Sequence, residues 1–143
     1  MKNIVTTKWL GEMKFESDNP SGLNLTIDAG EESGGHGEGY RPKALMLSAL
    51  AGCSGLDIAS LIKKMKLEVE AFDIVTEAEL TEEHPKYYKT VAVNYEFFGS
   101  NLDEKKLKKA VDLSVEKYCG VMEMFRQFAE VTINIHYYPA KNK

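Results

Sequence analysis

The stretch Arg41-Pro42-Lys43-Ala44-Leu45-Met46-Leu47-Ser48-Ala49-Leu50-Ala51-Gly52-Cys53 decides the fold. Proline near its start suits the first turn of a helix, where a missing N–H costs nothing. The residues from Ala44 to Gly52 are almost wholly apolar. A helix that is apolar all round has to be buried all round, and this one carries a thiol near its middle. The pattern predicts a helix from about Pro42 to about Met65. Beyond Cys53 the apolar positions thin to Leu56, Ile58, Ala59, Leu61, Ile62 and Met65. Lys63, Lys64 and Lys66 mark the exposed face and suit the negative end of the helix dipole. Ser48, Gly52, Ser54, Gly55, Asp57 and Ser60 interrupt the apolar run, which therefore reads as a buried helix and not as a membrane span.

Upstream of this helix lie three short strands. Lys2 to Trp9 alternates in character, Met13 to Glu16 comes after the turn allowed by Gly11, and Leu23, Leu25 and Ile27 share one face of a third strand. Asp18-Asn19-Pro20-Ser21-Gly22 is strong turn chemistry, so the three read as an antiparallel meander. Gly30 to Gly39 is a Gly/Glu-rich loop with neither a dinucleotide nor a Walker glycine pattern. It reads as a flexible approach to the helix, in which His36 and Glu38 are candidates for a pocket wall.

Downstream, Leu67 to Leu80 and Tyr88 to Phe98 read as the two long strands of a hairpin, interrupted by Thr81-Glu82-Glu83-His84-Pro85-Lys86. Phe72, Ile74, Thr76, Ala78 and Leu80 share one face of the first. Val91, Val93, Tyr95 and Phe97 share one face of the second. Asn101, with Glu104 three residues on, resembles a capping box. Leu107, Ala110, Val111, Ser114 and Tyr118 lie at helical spacing until Cys119-Gly120 ends or kinks the helix. Val121 to Phe128 forms another helical piece. Val131, Ile133, Ile135 and Tyr137 alternate on a last strand, and Lys141-Asn142-Lys143 reads as a frayed tail. The sum is an α+β chain forming one domain over residues 1–143.

Bulk properties narrow the function classes. A chain of 143 residues can bury a sizeable core. The net charge of −4, with no free-standing run of Lys and Arg, argues against nucleic acid as a partner. Met1-Lys2-Asn3-Ile4-Val5 lacks the long apolar core of a signal peptide. With two cysteines only, the expected setting is a reducing cytoplasm, where a cysteine pair is more often catalytic or redox-sensing than a static staple.

The chemistry-bearing residues are few. Cys53 and Cys119 lie 66 residues apart, too far for a C-x-x-C site, and sequence alone does not bring them within bridging distance. They read either as two unrelated buried cysteines or as a pair. Gly52, Ser54 and Gly55 leave room beside Cys53 for a substrate or another backbone. If Cys119 begins the second helical piece, free N–H groups favour its thiolate. Glu116 and Lys117 lie close enough in the chain to tune it, although with Asp112 they also read as solvated helix surface. Met122, Met124, Phe125 and Phe128 read as core or as the lining of an apolar pocket. His36, His84 and His136 are not paired with a cysteine at zinc-ligand spacing, so no metal is expected. There is no G-x-S-x-G elbow for a serine hydrolase.

Proline followed by an apolar helix and then by Cys53, eleven positions on, resembles the OsmC / organic hydroperoxide resistance (Ohr) family. The run Val111-Asp112-Leu113-Ser114-Val115-Glu116-Lys117-Tyr118-Cys119-Gly120-Val121 is similar to that family's second cysteine motif. Gly-Cys-Ser at residues 52–54 and Glu-Lys-Tyr-Cys at residues 116–119 resemble its YhfA-like branch. The resemblance implies an OsmC-like fold, with antiparallel sheets wrapped around a long buried central helix in an intertwined homodimer. It implies that Cys53 is the peroxidatic and Cys119 the resolving cysteine in the reduction of an organic hydroperoxide. A sulfenic acid and then a disulfide are the intermediates, and a dithiol, lipoylated in well-studied members, is the reductant. No cofactor is implied.

The sequence departs from the family at two places. Hydroperoxidases of the family carry a glutamate directly after the proline and an arginine in the N-terminal strand region. Here Lys43 comes after the proline, and the two arginines, Arg41 and Arg126, lie outside the first three strands. Lys43 cannot accept an arginine's hydrogen bonds. Arg41, Lys43, Glu116 and Lys117 are the remaining candidates for tuning a thiolate. The alternative expectation is a protein of this fold that binds an apolar small molecule, or senses redox state through the cysteine pair.

Overall fold

Pro42 opens helix α1, which runs 23 residues to Lys64. The computed structural model describes residues 1–140, so the polar tail expected to fray lies outside the described residues. Before α1 come β1 (Thr7–Gly11), β2 (Lys14–Ser17) and β3 (Leu25–Ile27). After it come β4 (Ala71–Leu80), β5 (Tyr88–Phe98), α2 (Glu104–Leu113), a π-helical turn over Ser114–Tyr118, α3 (Gly120–Arg126) and β6 (Glu130–Tyr138). The chain forms two compact units, Met1–Leu47 and the remainder from Ser48, with α1 starting in the first.

In the first unit β1, β2 and β3 form the expected antiparallel meander, with Trp9 opposite Phe15 and Phe15 opposite Ile27. The Gly/Glu-rich loop is more ordered than its composition suggests. The carboxylate of Asp28, 1% exposed, accepts the backbone N–H groups of Ala29, His36 and Glu38. Burial opposes ionisation of this group, but those three donors outweigh it and hold the carboxyl below its usual range. Tyr40 then bridges to Ile27 beside the edge of β3.

In the second unit β4 and β5 form the long hairpin, in the register Phe72–Phe97, Ile74–Tyr95, Thr76–Val93 and Ala78–Val91. The faces read from the alternation are therefore the ones that pair. β6 adds to the other edge of β5, and here the structure departs from an all-antiparallel layout. β6 runs parallel to β5, with Val91 opposite Val131 and Phe97 opposite Tyr137. A parallel neighbour needs a crossover, and α2, the π-turn and α3 supply it. Val91, Val93, Tyr95 and Phe97 are at most 1% exposed and carry the core of this unit, with Leu107, Ala110, Val111, Met122 and Phe125 from the helices.

Two further expectations are corrected locally. The N-cap of α2 is Asp103, whose carboxylate accepts the N–H of Lys106 at 3.1 Å, in place of Asn101. Asn101 instead donates to Glu68. Tyr118 is 53% exposed although it continues the apolar spacing of α2, because the π-turn inserts an extra residue and rotates the positions after it.

The central helix shows the widest departure. Of its 23 residues only Leu50, Ser54 and Ile58 are buried, a single i, i+4, i+8 stripe. One chain covers one face of it, while Leu56 stays 75% exposed. By length and composition α1 would also suffice to cross a membrane, more than its polar interruptions suggested. Its buried stripe nevertheless faces protein: Ser54 bonds to Tyr95, and a Cβ placed on Gly55 would come 3.2 Å from Ile74.

Candidate functional site

The stripe that turns Ser54 into the core leaves Cys53, one position earlier, half-buried beside it. Cys119 is delivered by the crossover. In the π-turn the N–H of Cys119 reaches back five residues to the carbonyl of Ser114, at 2.8 Å. That stop leaves Cys119 extended (φ −82, ψ 101) as the N-cap of α3. Its sulfur accepts the N–H of Met122 at 3.3 Å and is only 3% exposed. Cysteine here fills the role that serine or aspartate has at most helix starts.

The two thiols meet. Cys53 and Cys119, both free, are close enough for the Cys53 sulfur to act on the Cys119 thiol. Burial pushes the Cys119 thiol from its ordinary 9.0 up to about 11. The Met122 N–H pulls against that rise, while the Cys53 sulfur and the Asp57 carboxylate add to it. Cys119 therefore keeps its proton at neutral pH. Cys53, half-buried, has the readier access to solvent.

Behind the thiols lies a chain of polar groups that sequence reasoning missed. Tyr95, Ser54 and Ser114 are fully buried, and Ser54 Oγ lies 2.7 Å from Tyr95 Oη and 2.8 Å from Ser114 Oγ. Ser114 Oγ also donates to Asp57 Oδ2 at 3.0 Å. Burial pushes the Tyr95 phenol up to about 12, with Ser54 opposing and the charges at Cys119 and Asp57 reinforcing. One signal for this cluster was legible. Ser54 and Ser114 each occupy an inward position of a helical pattern otherwise filled by Leu, Ile, Ala and Val.

The guanidinium of Arg41 donates to the carbonyls of Asp28 (3.1 Å) and Gly39 (3.0 Å). Lys43 is exposed in the first turn of α1, ten residues ahead of Cys53. Glu116 and Lys117 are exposed on the π-turn, with the Lys117 ammonium 5.3 Å from the centroid of the Tyr118 ring. Arg126 donates to the Val115 carbonyl at 2.7 Å and pairs with Glu123, tying α3 to the π-turn. His36 pairs with Glu12, and Glu38 with Lys14. Glu38 lines an open cleft of about 500 Å³ along β3, with Tyr40 and Thr26. Met122 and Phe125 are core, whereas Met124 and Phe128 are exposed. Among the described residues no group of three or more His, Cys, Asp or Glu side chains is placed to hold a metal ion.

The chain is similar to known proteins over most of its length. Protein YhfA of Escherichia coli K12 is 29% identical over 125 residues, spanning 87% of this chain and 90% of its own. The crystal structure of a hypothetical protein from Aquifex aeolicus VF5 is 29% identical, with a TM-score of 0.85 and 99% of each chain covered. An organic hydroperoxide resistance protein OsmC from Legionella pneumophila shares the fold, with a TM-score of 0.69, 20% identity, and coverage of 95% of this chain and 97% of its own. The family model for OsmC-like proteins matches residues 35–134, a span that holds both cysteines and the whole buried polar chain, and the protein belongs to the OsmC-like family.

Proposed function

We propose that the protein reduces organic hydroperoxides through Cys53 and Cys119. The observation that carries this reading is the meeting of two free thiols brought from 66 residues apart. Their environments differ in the sense the reaction needs. The half-buried Cys53 thiolate attacks the distal oxygen of ROOH, forming an S–O bond and breaking O–O. The alkoxide leaves and takes a proton to become ROH. Cys119 then attacks the Cys53 sulfenic acid, giving the Cys53–Cys119 disulfide, and its proton goes out with the hydroxide as water. A dithiol reopens the disulfide by exchange and is itself oxidised. Arg41 and Arg126 are held by backbone carbonyls, and the proton that Cys119 keeps is the one it gives up when the disulfide forms. The organic hydroperoxide resistance protein from Legionella pneumophila supports a peroxide or redox role for the fold.

The test is stoichiometric. The reduced protein, freed of reductant, receives one equivalent of cumene hydroperoxide, and free thiols are counted over time by mass spectrometry. Rapid loss of two thiols per chain as an intramolecular disulfide is expected. Persistence of both thiols would overturn the reading and leave the fold as a container for an apolar ligand.

The same reading includes a homodimer in the cytoplasm. Its support is the exposed apolar surface of the single chain: Leu56 at 75%, Trp9 at 66%, Leu23 at 74% and Leu10 at 53%. A second copy would complete the burial that the composition of α1 demands. Sedimentation equilibrium is expected to give about twice the 16.0 kDa of one chain; a monomer at micromolar concentration would remove the dimer from the proposal.

A further inference from the structure

We propose that Ser54 and Ser114 form a clasp that positions the two thiols, with Tyr95 and Asp57 holding its ends. The inference rests on the reading of Cys53 and Cys119 as a redox pair. The clasp fixes α1 at Cys53 against the turn that delivers Cys119, and so sets how readily the disulfide forms.

The placement is what singles these residues out. Ser54 is the chain neighbour of Cys53. Ser114 supplies the carbonyl on which the Cys119 N–H closes the π-turn. The two hydroxyls, 2.8 Å apart, therefore link the backbone under one thiol to the backbone under the other.

The direction of the hydrogen-bond chain is set by its end. A carboxylate only accepts, so Ser114 spends its proton on Asp57. Ser114 Oγ must then accept from Ser54, and Ser54 Oγ must accept from Tyr95. Tyr95, whose phenol keeps its proton, starts the chain. Each serine hydroxyl donates once and accepts once, and the charge on Asp57 orients all three hydroxyls.

An apolar pair would have filled this space at less desolvation cost. What hydroxyls add is a fixed orientation. A disulfide tolerates only a narrow range of approach, so a small slip of α1 against the turn is felt directly in its stability.

The test is the stability of the disulfide in the full-length protein. Parent and variants are equilibrated in mixtures of reduced and oxidised dithiothreitol, then alkylated and weighed. Oxidised dithiothreitol takes two electrons and two protons from the thiols and becomes the dithiol. Ser114→Ala and Ser54→Ala are each expected to lower the equilibrium constant about tenfold, a potential about 30 mV less reducing. The double variant should fall no further than about twofold below either single, since all three remove the same joint. Constants within about twofold of the parent in both singles, or a double variant equal to their product, would overturn the clasp.

Should an alanine variant fail to fold, Asp57→Asn, at a half-buried position, carries the same test: a fall of about threefold is expected, and an unchanged constant overturns the clasp. A parent that forms no disulfide in dithiothreitol also overturns it. A parent that forms one there but ignores cumene hydroperoxide retires the peroxidase reading and leaves the clasp standing.

Discussion

Cys53→Ser is expected to stop hydroperoxide consumption altogether, while Cys119→Ser is expected to consume one equivalent per chain and then stall. The difference comes from where the sulfurs sit. Cys53 is half-buried with small neighbours, so serine fits its place and the fold survives. A hydroxyl keeps its proton at neutral pH and is a poor nucleophile towards oxygen. Cys119 cannot take over, because it is 3% exposed and its thiol is pushed up to about 11. In Cys119→Ser the first step remains, and Cys53 accumulates as the sulfenic acid. Trapping with dimedone and weighing the adduct on Cys53 checks this. Sustained turnover by Cys53→Ser would end the two-cysteine mechanism.

The second large effect is on stability. Phe97→Ala is expected to cost about 3–5 kcal/mol, the range for truncating a fully buried aromatic residue. Phe97 is 0% exposed and sits in the middle of a row of three rings. It stacks on Phe72 at 4.7 Å and on Tyr137 at 6.1 Å, across both neighbouring strands. Truncation leaves a void that β4 and β6 cannot close without breaking register. At the few degrees per kcal/mol usual for chains of this size, the melting temperature should fall by roughly 10 °C or more. Thermal unfolding of parent and variant at equal protein concentration measures it, since any self-association links stability to concentration. A fall of less than about 1 kcal/mol would show that the row of rings contributes little.

How much of this was legible in the chain depended on range. The hairpin was legible because its alternation is local: Tyr88 to Phe98 reads as a strand and is one, and its inward face pairs with the face read for β4. The start of α1 was legible because Pro42 and the apolar residues that follow it agree. The parallel placement of β6 was not, because strand alternation is the same in either direction. The π-turn was hidden as well. Nothing in Ser114-Val115-Glu116-Lys117-Tyr118 forbids an ordinary helix, and only Gly120 hinted at a break. The all-round burial of α1 expected from composition is not what the structure shows: only the stripe through Leu50, Ser54 and Ile58 is buried, because composition does not say which faces find a neighbour.

The candidate site divides the same way. Cys53 and Cys119 stood out by residue type, and their meeting was implied by family resemblance and not by spacing. Ser54 and Ser114 passed as small residues on apolar faces. Their partners, Tyr95 and Asp57, come from a strand and from the next turn of α1, so the cluster exists only once the chain has folded.

The distance along the chain between the thiols has a consequence in time. Cys53 leaves the ribosome 66 residues ahead of Cys119, so at about 5–20 residues per second roughly 3–13 s pass before its partner exists. From the completion of β5 at Phe98 until β6 is made, β5 waits with a bare edge, because the strand that covers it is the last element of the described residues. A newborn chain that meets an oxidant then has no second thiol to close on, and a sulfenic acid at Cys53 stands open to further, irreversible oxidation. The youngest molecules in a stressed cell would thus be the ones most readily lost.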